Sequence, residues 1–166
     1  MCKNIVFKVF ACAICFLFIL PVVSANAVSS QDWISYLPET INGIEKTGEV
    51  ETVDAKKMGQ KICSVTQNYG NKVSLTIADG TMLPQLKKFE TMKQFTMENE
   101  KKIIKRVKIS GYESGYEFYK KRKEGNLLVK LSDTRIVVIQ ADEVKNKDEL
   151  LSMADDVPLS EIADHK

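Results

Sequence analysis

Few residue types able to do chemistry are present, and their spacing does not suit catalysis. One histidine, His165, stands beside the C-terminal residue. A Ser-His-Asp or Cys-His arrangement would have to recruit it from a tail expected to fray. His and Cys are too few for a zinc site. No GxGxxG, phosphate loop or spaced Asp/Asn/Gly calcium loop occurs, so no cofactor and no metal is expected. The acidic pairs Asp155-Asp156 and Glu98/Glu100 could serve as general acid and base only if they converged in a cleft, and acids at the surface ordinarily stay solvated. A carboxylate-based hydrolase is the alternative class they leave open.

Two groups of residues could bind instead. Arg106 and Lys108 are expected on one face of a strand, Lys121 and Lys123 on one face of the next, with Lys130 beside them. An exposed basic ridge of this kind would attract anionic headgroups or polyanions. On a merely solvated sheet, the same lysines would discourage edge-to-edge pairing. The second group is aromatic: Tyr112, Tyr116, Phe118 and Tyr119. Tyrosine joins an apolar ring to a polar tip and suits contact surfaces, although core packing is the favoured reading of these rings.

The elements that must position these groups begin after a leader. Lys3 and Lys8 make a short basic start, Val9 to Val23 is almost wholly apolar, and Ala25-Asn26-Ala27 has the small-x-small pattern that signal peptidase requires. The apolar run of about 15 residues is short of the roughly 20 that span a bilayer. Residues 1–27 are therefore expected to be a cleaved secretory signal, with cleavage after Ala27, and residues 28–166 a single domain. A retained anchor is the alternative. Lipidation at Cys12 or Cys15 is disfavoured because both lie inside the apolar run. Cleavage would remove Cys2, Cys12 and Cys15, leaving Cys63 alone and without an internal disulfide partner. In the strand Ile62–Tyr69 it shares a face with Val65 and Tyr69, so a buried, unpaired and inert thiol is expected.

Without Lys3 and Lys8 the chain carries 22 basic and 22 acidic residues. That balance argues against nucleic-acid binding through bulk charge. The distribution is uneven: Lys101–Lys130 holds ten basic and three acidic residues, and Leu131–Lys166 holds four basic and nine acidic.

The clearest elements are Leu127–Leu131 and Arg135–Ala141, two strands joined by a polar turn at Ser132-Asp133-Thr134. The second is apolar on both faces and rich in β-branched residues, which predicts a central strand covered on both sides. Ile62–Tyr69 and Lys72–Ala78 flank Gly70-Asn71 as a hairpin. Thr81 to about Phe95 predicts an amphipathic helix with Pro84 in its first turn and Leu86, Phe89 and Met92 on its apolar side. Lys101–Ser110 and Tyr116–Lys123 are further strands, and the repeated Ser-Gly-Tyr-Glu at 110–113 and 114–117 is read as turn chemistry between them. Ser29–Tyr36 is a short serine-capped helix ended by Pro38, followed by two short strand-like pieces, Ile41–Glu45 and Gly48–Val53. Asn146 and Glu149 resemble a capping box opening a C-terminal helix, with a last helical turn at Ser160–Asp164. The class predicted is α+β: an antiparallel sheet of about five to seven strands, a hairpin plus a meander, with a mid-chain helix and C-terminal helices packed on it.

Leu37-Pro38, Asn42-Gly43-Ile44-Glu45, the hairpin ending Ile77-Ala78-Asp79-Gly80 and the closing helix together resemble small exported bacterial α+β proteins of unassigned function with a PsbP-like sandwich architecture. The resemblance covers most of the chain beyond the leader and carries no catalytic residues. It implies an envelope module without catalysis. The expectation is a secreted or periplasmic binding or accessory domain contacting an envelope protein or an anionic surface, with no transmembrane anchor after cleavage. A structural assembly subunit is a further alternative.

Overall fold

A computed structural model describes residues 28–57, 59–94 and 96–165, so the expected leader lies outside the described residues. The chain runs α1 (Ser30–Trp33), a 3₁₀ turn (Ile34–Tyr36), β1 (Thr40–Ile41), β2 (Ile44–Lys57), β3 (Gln60–Tyr69) and β4 (Val73–Asp79). It continues through α2 (Pro84–Lys93), β5 (Met97–Glu98), β6 (Lys102–Ile109), β7 (Tyr112–Tyr119), β8 (Glu124–Lys130) and β9 (Arg135–Ala141). It closes with α3 (Lys147–Ser152), a 3₁₀ turn (Met153–Asp156) and α4 (Leu159–Asp164). The strands form one sheet of order β1-β2-β3-β4-β9-β8-β7-β6-β5 with antiparallel neighbours.

β9 is the fifth of the nine strands, and its sequence explains why. Val137, Ile139 and Ala141 point to one face; Ile136 and Val138 point to the other. Only a strand with helices on both sides can bury both sets. On the first face lie Trp33 from α1, Leu150 from α3 and Ile162 from α4, packed over Val65, Leu75 and Leu127. On the second lies α2, whose Leu86, Phe89 and Met92 cover Ala78, Leu128, Ile104 and Ile136. α2 starts where Pro84 occupies the first helical turn, a position whose amide has no intrahelical partner. The α1 cap is reciprocal: the Ser29 side chain accepts from the first turn while Asp32 accepts from the Ser29 amide at 2.7 Å.

The sheet is larger than the five to seven strands expected. β1 and β5 are two-residue ladders too short to leave a periodic signal. The stretch read as two pieces, Ile41–Glu45 and Gly48–Val53, divides differently: the chain turns at Asn42-Gly43, with φ of 47° and 74°, and Ile44–Lys57 is one strand. Its register slips between Thr47 and Glu51, where Gly48 has φ of 71°, so a bulge broke the alternation. The Ser-Gly repeat also divides. Ser110-Gly111 makes the whole turn, with φ of 49° and 88°. The second copy, Ser114-Gly115, is buried inside β7, where a Cβ on Gly115 would stand 3.1 Å from Met92 Cε.

The C-terminal segment does not fray as expected. Arg135, the first residue of β9, directs Nη1 to the carbonyl oxygens of Ile162, Ala163 and His165 at 2.7, 3.1 and 3.0 Å. Its Nε and Nη2 donate to Asp79 at 2.9 and 2.8 Å, and its guanidinium lies 4.6 Å from the centre of a Trp33 ring. His165 in turn lies 4.8 Å from Trp33, ring centre to ring centre, and its Nδ1 is 3.0 Å from the Tyr36 hydroxyl. One buried cation therefore ties α1, β4, β9 and the end of α4 together. Cys63 is buried and unpaired, as expected. Burial pushes its thiol up, against a hydrogen bond donated by Trp33 Nε1 at 3.4 Å.

Candidate binding surfaces

The register of the sheet sets an acid among the strand cations of the anticipated basic ridge. Glu113 stands opposite Lys130 on one side and opposite Lys108 on the other, so charges alternate across β8, β7 and β6. Arg106 Nη2 is 3.6 Å from Glu113, and Lys93 of α2 reaches the same carboxylate at 2.8 Å. Lys130 lies between Glu90 and Asp133 at 3.3 and 3.0 Å. Lys121 and Lys123 are not on a strand. β7 ends at Tyr119, and the run Lys-Lys-Arg-Lys at 120–123 is the turn into β8, closed by the Lys123 amide donating 2.8 Å to the Tyr119 carbonyl with Lys123 at φ of 56°. Four consecutive cations offer no apolar face to bury, which is why the strand stops before them.

The aromatic group separates by parity. Tyr116 and Phe118 are buried in the core under the N- and C-terminal helices, and Tyr112 is half-buried against it. Tyr119 faces the other way and is the ring that meets the basic turn. Lys102 Nζ lies 4.5 Å and Arg122 Cζ 4.2 Å from its centroid, close enough for cation–π attraction. Together with Met97, which is 40% exposed, it floors an open hollow of about 450 Å³ rimmed by Lys101, Lys102, Lys121 and Arg122. Arg122 is drawn to Glu124 at 3.1 Å and Lys120 to Glu98 at 3.7 Å. Lys101 and Lys121 are exposed and have no ion-pair partner among the described residues. Sequence reading placed Tyr119 and Lys121 in the candidate surface but missed Lys101, Lys102, Arg122 and Met97. Their signal was the run of cations next to a tyrosine at a strand end.

Behind this surface Glu117 holds α2 onto the sheet. Its carboxylate, nearly buried, accepts from Lys88 of α2 at 2.8 Å and Lys102 of β6 at 3.0 Å. Burial acts to raise its pKa, but the hydrogen bonds and charges of the two lysines outweigh burial and hold it below the ordinary 4.5. A folded-state pKa below the unfolded one means stability fully present above that value and lost as pH falls through the lowered one. Glu117→Gln is therefore expected to lower stability at neutral pH by about 1–3 kcal/mol and to flatten the decline below pH 4.5. Urea titrations at pH 7 and pH 3 check both effects; parallel pH profiles for parent and variant would refute the assignment.

The acids singled out for catalysis do not converge. Asp156 accepts the Asn42 amide at 2.6 Å, pinning the β1–β2 turn to the C-terminal segment. Glu98 pairs with Lys105 and Lys120 at the sheet edge. Among the described residues no group of three or more metal-ligating side chains gathers, and no helix is long and apolar enough to cross a membrane. Comparison with known protein families, curated proteins and solved structures found no match.

Proposed function

We propose that this chain is an exported, non-catalytic binding or accessory domain of the cell envelope, and that the basic hollow around Tyr119 receives an anionic group. The observation that carries this reading is the pair of exposed, unpaired cations, Lys101 and Lys121, above the apolar floor of Tyr119 and Met97. Cations over a ring and a thioether suit a phosphate or carboxylate attached to an apolar body, as on an anionic lipid surface. The Ala25-Asn26-Ala27 pattern and the resemblance to exported PsbP-like proteins support the envelope location. Helices on both faces of an antiparallel sheet are compatible with that architecture.

Cosedimentation with vesicles tests the reading, using chain recovered after export, whose intact mass reports whether it begins at Val28. Binding is expected to vesicles containing phosphatidylglycerol and not to phosphatidylcholine alone, and to weaken as salt rises. A basic side chain near an anionic leaflet contributes about 1 kcal/mol. The Lys121→Glu/Arg122→Glu variant should therefore bind at least ~10-fold more weakly. Equal binding to both lipid compositions, or no change on charge reversal, would overturn the proposal.

A further inference from the structure

A second surface stands apart from the basic hollow. The register of the sheet sets Thr47, Asn68, Ser74, Gln140 and Asn126 in one line across β2, β3, β4, β9 and β8. Four inter-strand steps of about 4.8 Å make that line roughly 19 Å long. It lies on the α2 side of the sheet. α2 covers the neighbouring positions Ala78, Ile136, Leu128 and Val138, but the line itself is left open as the floor of a trough of about 610 Å³. The line runs from β2, second from one edge, to β8 beyond the central β9. β9 shows the break most sharply: Gln140 is its single exposed residue.

The chemistry of the floor is neutral and two-way. Carboxamides and hydroxyls both donate and accept, and none of the five carries a formal charge. Gln140 Nε2 donates to Asn126 Oδ1 at 3.1 Å. That leaves the Gln140 oxygen and the Asn126 amide group, an acceptor and a donor on adjacent strands, without other partners among the described residues. The rim charges select against an anionic occupant. Lys72 is held by Glu143, and Glu124 by Arg122 at 3.1 Å. Asp142 presents a carboxylate with no ion-pair partner among the described residues, which would repel an acidic chain and accept from hydroxyls.

We propose that this trough binds a neutral, extended glycan, with sugar hydroxyls and amides pairing along the Thr47–Asn126 line. The assignment is independent of the basic hollow, because it rests on different side chains and predicts binding that salt leaves unchanged, where binding at the hollow weakens with salt. Titrating the ¹⁵N-labelled chain with a tetramer of N-acetylglucosamine tests it. Saturable shifts are expected in the side-chain amide signals of Asn68, Asn126 and Gln140, unchanged by added salt. The Asn126→Ala/Gln140→Ala variant should weaken binding at least ~10-fold with an unaltered melting temperature. Ser74→Ala gives a second variant with a smaller loss. Absence of saturable shifts, shifts confined to other residues, unchanged affinity in the double variant, or tighter binding of a carboxylate-bearing oligosaccharide would each overturn the proposal.

Discussion

Arg135→Ala is expected to destabilise the fold by about 3–5 kcal/mol, the range for removing one partner of a buried, hydrogen-bonded charge. Arg135 is 8% exposed, and three carbonyls of the C-terminal segment converge on its Nη1. Its loss would leave Asp79, half-buried at the end of β4, without its ion pair, and would leave those carbonyls short of a donor. It would also open space against Trp33, which is fully buried. The C-terminal segment should release first, so amide exchange is expected to rise in α4 and at His165 more than in β6 or β7. Arg135→Lys should recover little, because a single ammonium cannot reproduce the planar fork that serves Asp79 and the carbonyls together. Urea denaturation with hydrogen exchange reads both effects. A loss under about 1 kcal/mol, or protection lost uniformly across the chain, would show that the Arg135 cluster does not hold the C-terminal segment.

Val137→Asp is expected to abolish cooperative folding. Val137 is fully buried, with Ile77 and Val129 as its cross-strand neighbours on β4 and β8. An unpaired carboxylate there costs several kcal/mol, against about 5–15 kcal/mol for a whole domain. Val138→Asp should be milder. Val138 is 8% exposed, faces the α2 side, and has the Thr76 hydroxyl as a cross-strand neighbour. Asp133→Asn is the control. Asp133 is almost fully exposed in the β8–β9 turn, and its ion pair with Lys130 at 3.0 Å is a surface one, so a change within about 0.5 kcal/mol is expected. Thermal melts of the three variants give the order directly. If Val137→Asp melted like the parent, β9 would not be the covered centre of the sheet.

Local chemistry in the chain determined most of the elements by itself. The β-branched run Ile136–Ile139 requires cover on both faces, Gly70-Asn71 turns the β3–β4 hairpin, and Pro84 with Leu86, Phe89 and Met92 makes α2 and orients it. Each of these depends on residues within a few positions of one another, where backbone sterics and side-chain periodicity act directly. Tertiary structure decided what depends on partners far along the chain. Glu113 stands among Lys108, Arg106 and Lys130 only because β7 lies between β6 and β8 in that register. His165 is held rather than free because Arg135, Trp33 and Tyr36, distant in sequence, meet beside it. The line from Thr47 to Asn126 exists only once five strands align, since each of its residues alone is an ordinary polar position on a strand. Register and burial are set by long-range pairing of the whole sheet, and a one-residue slip of any strand would turn these side chains to the opposite face.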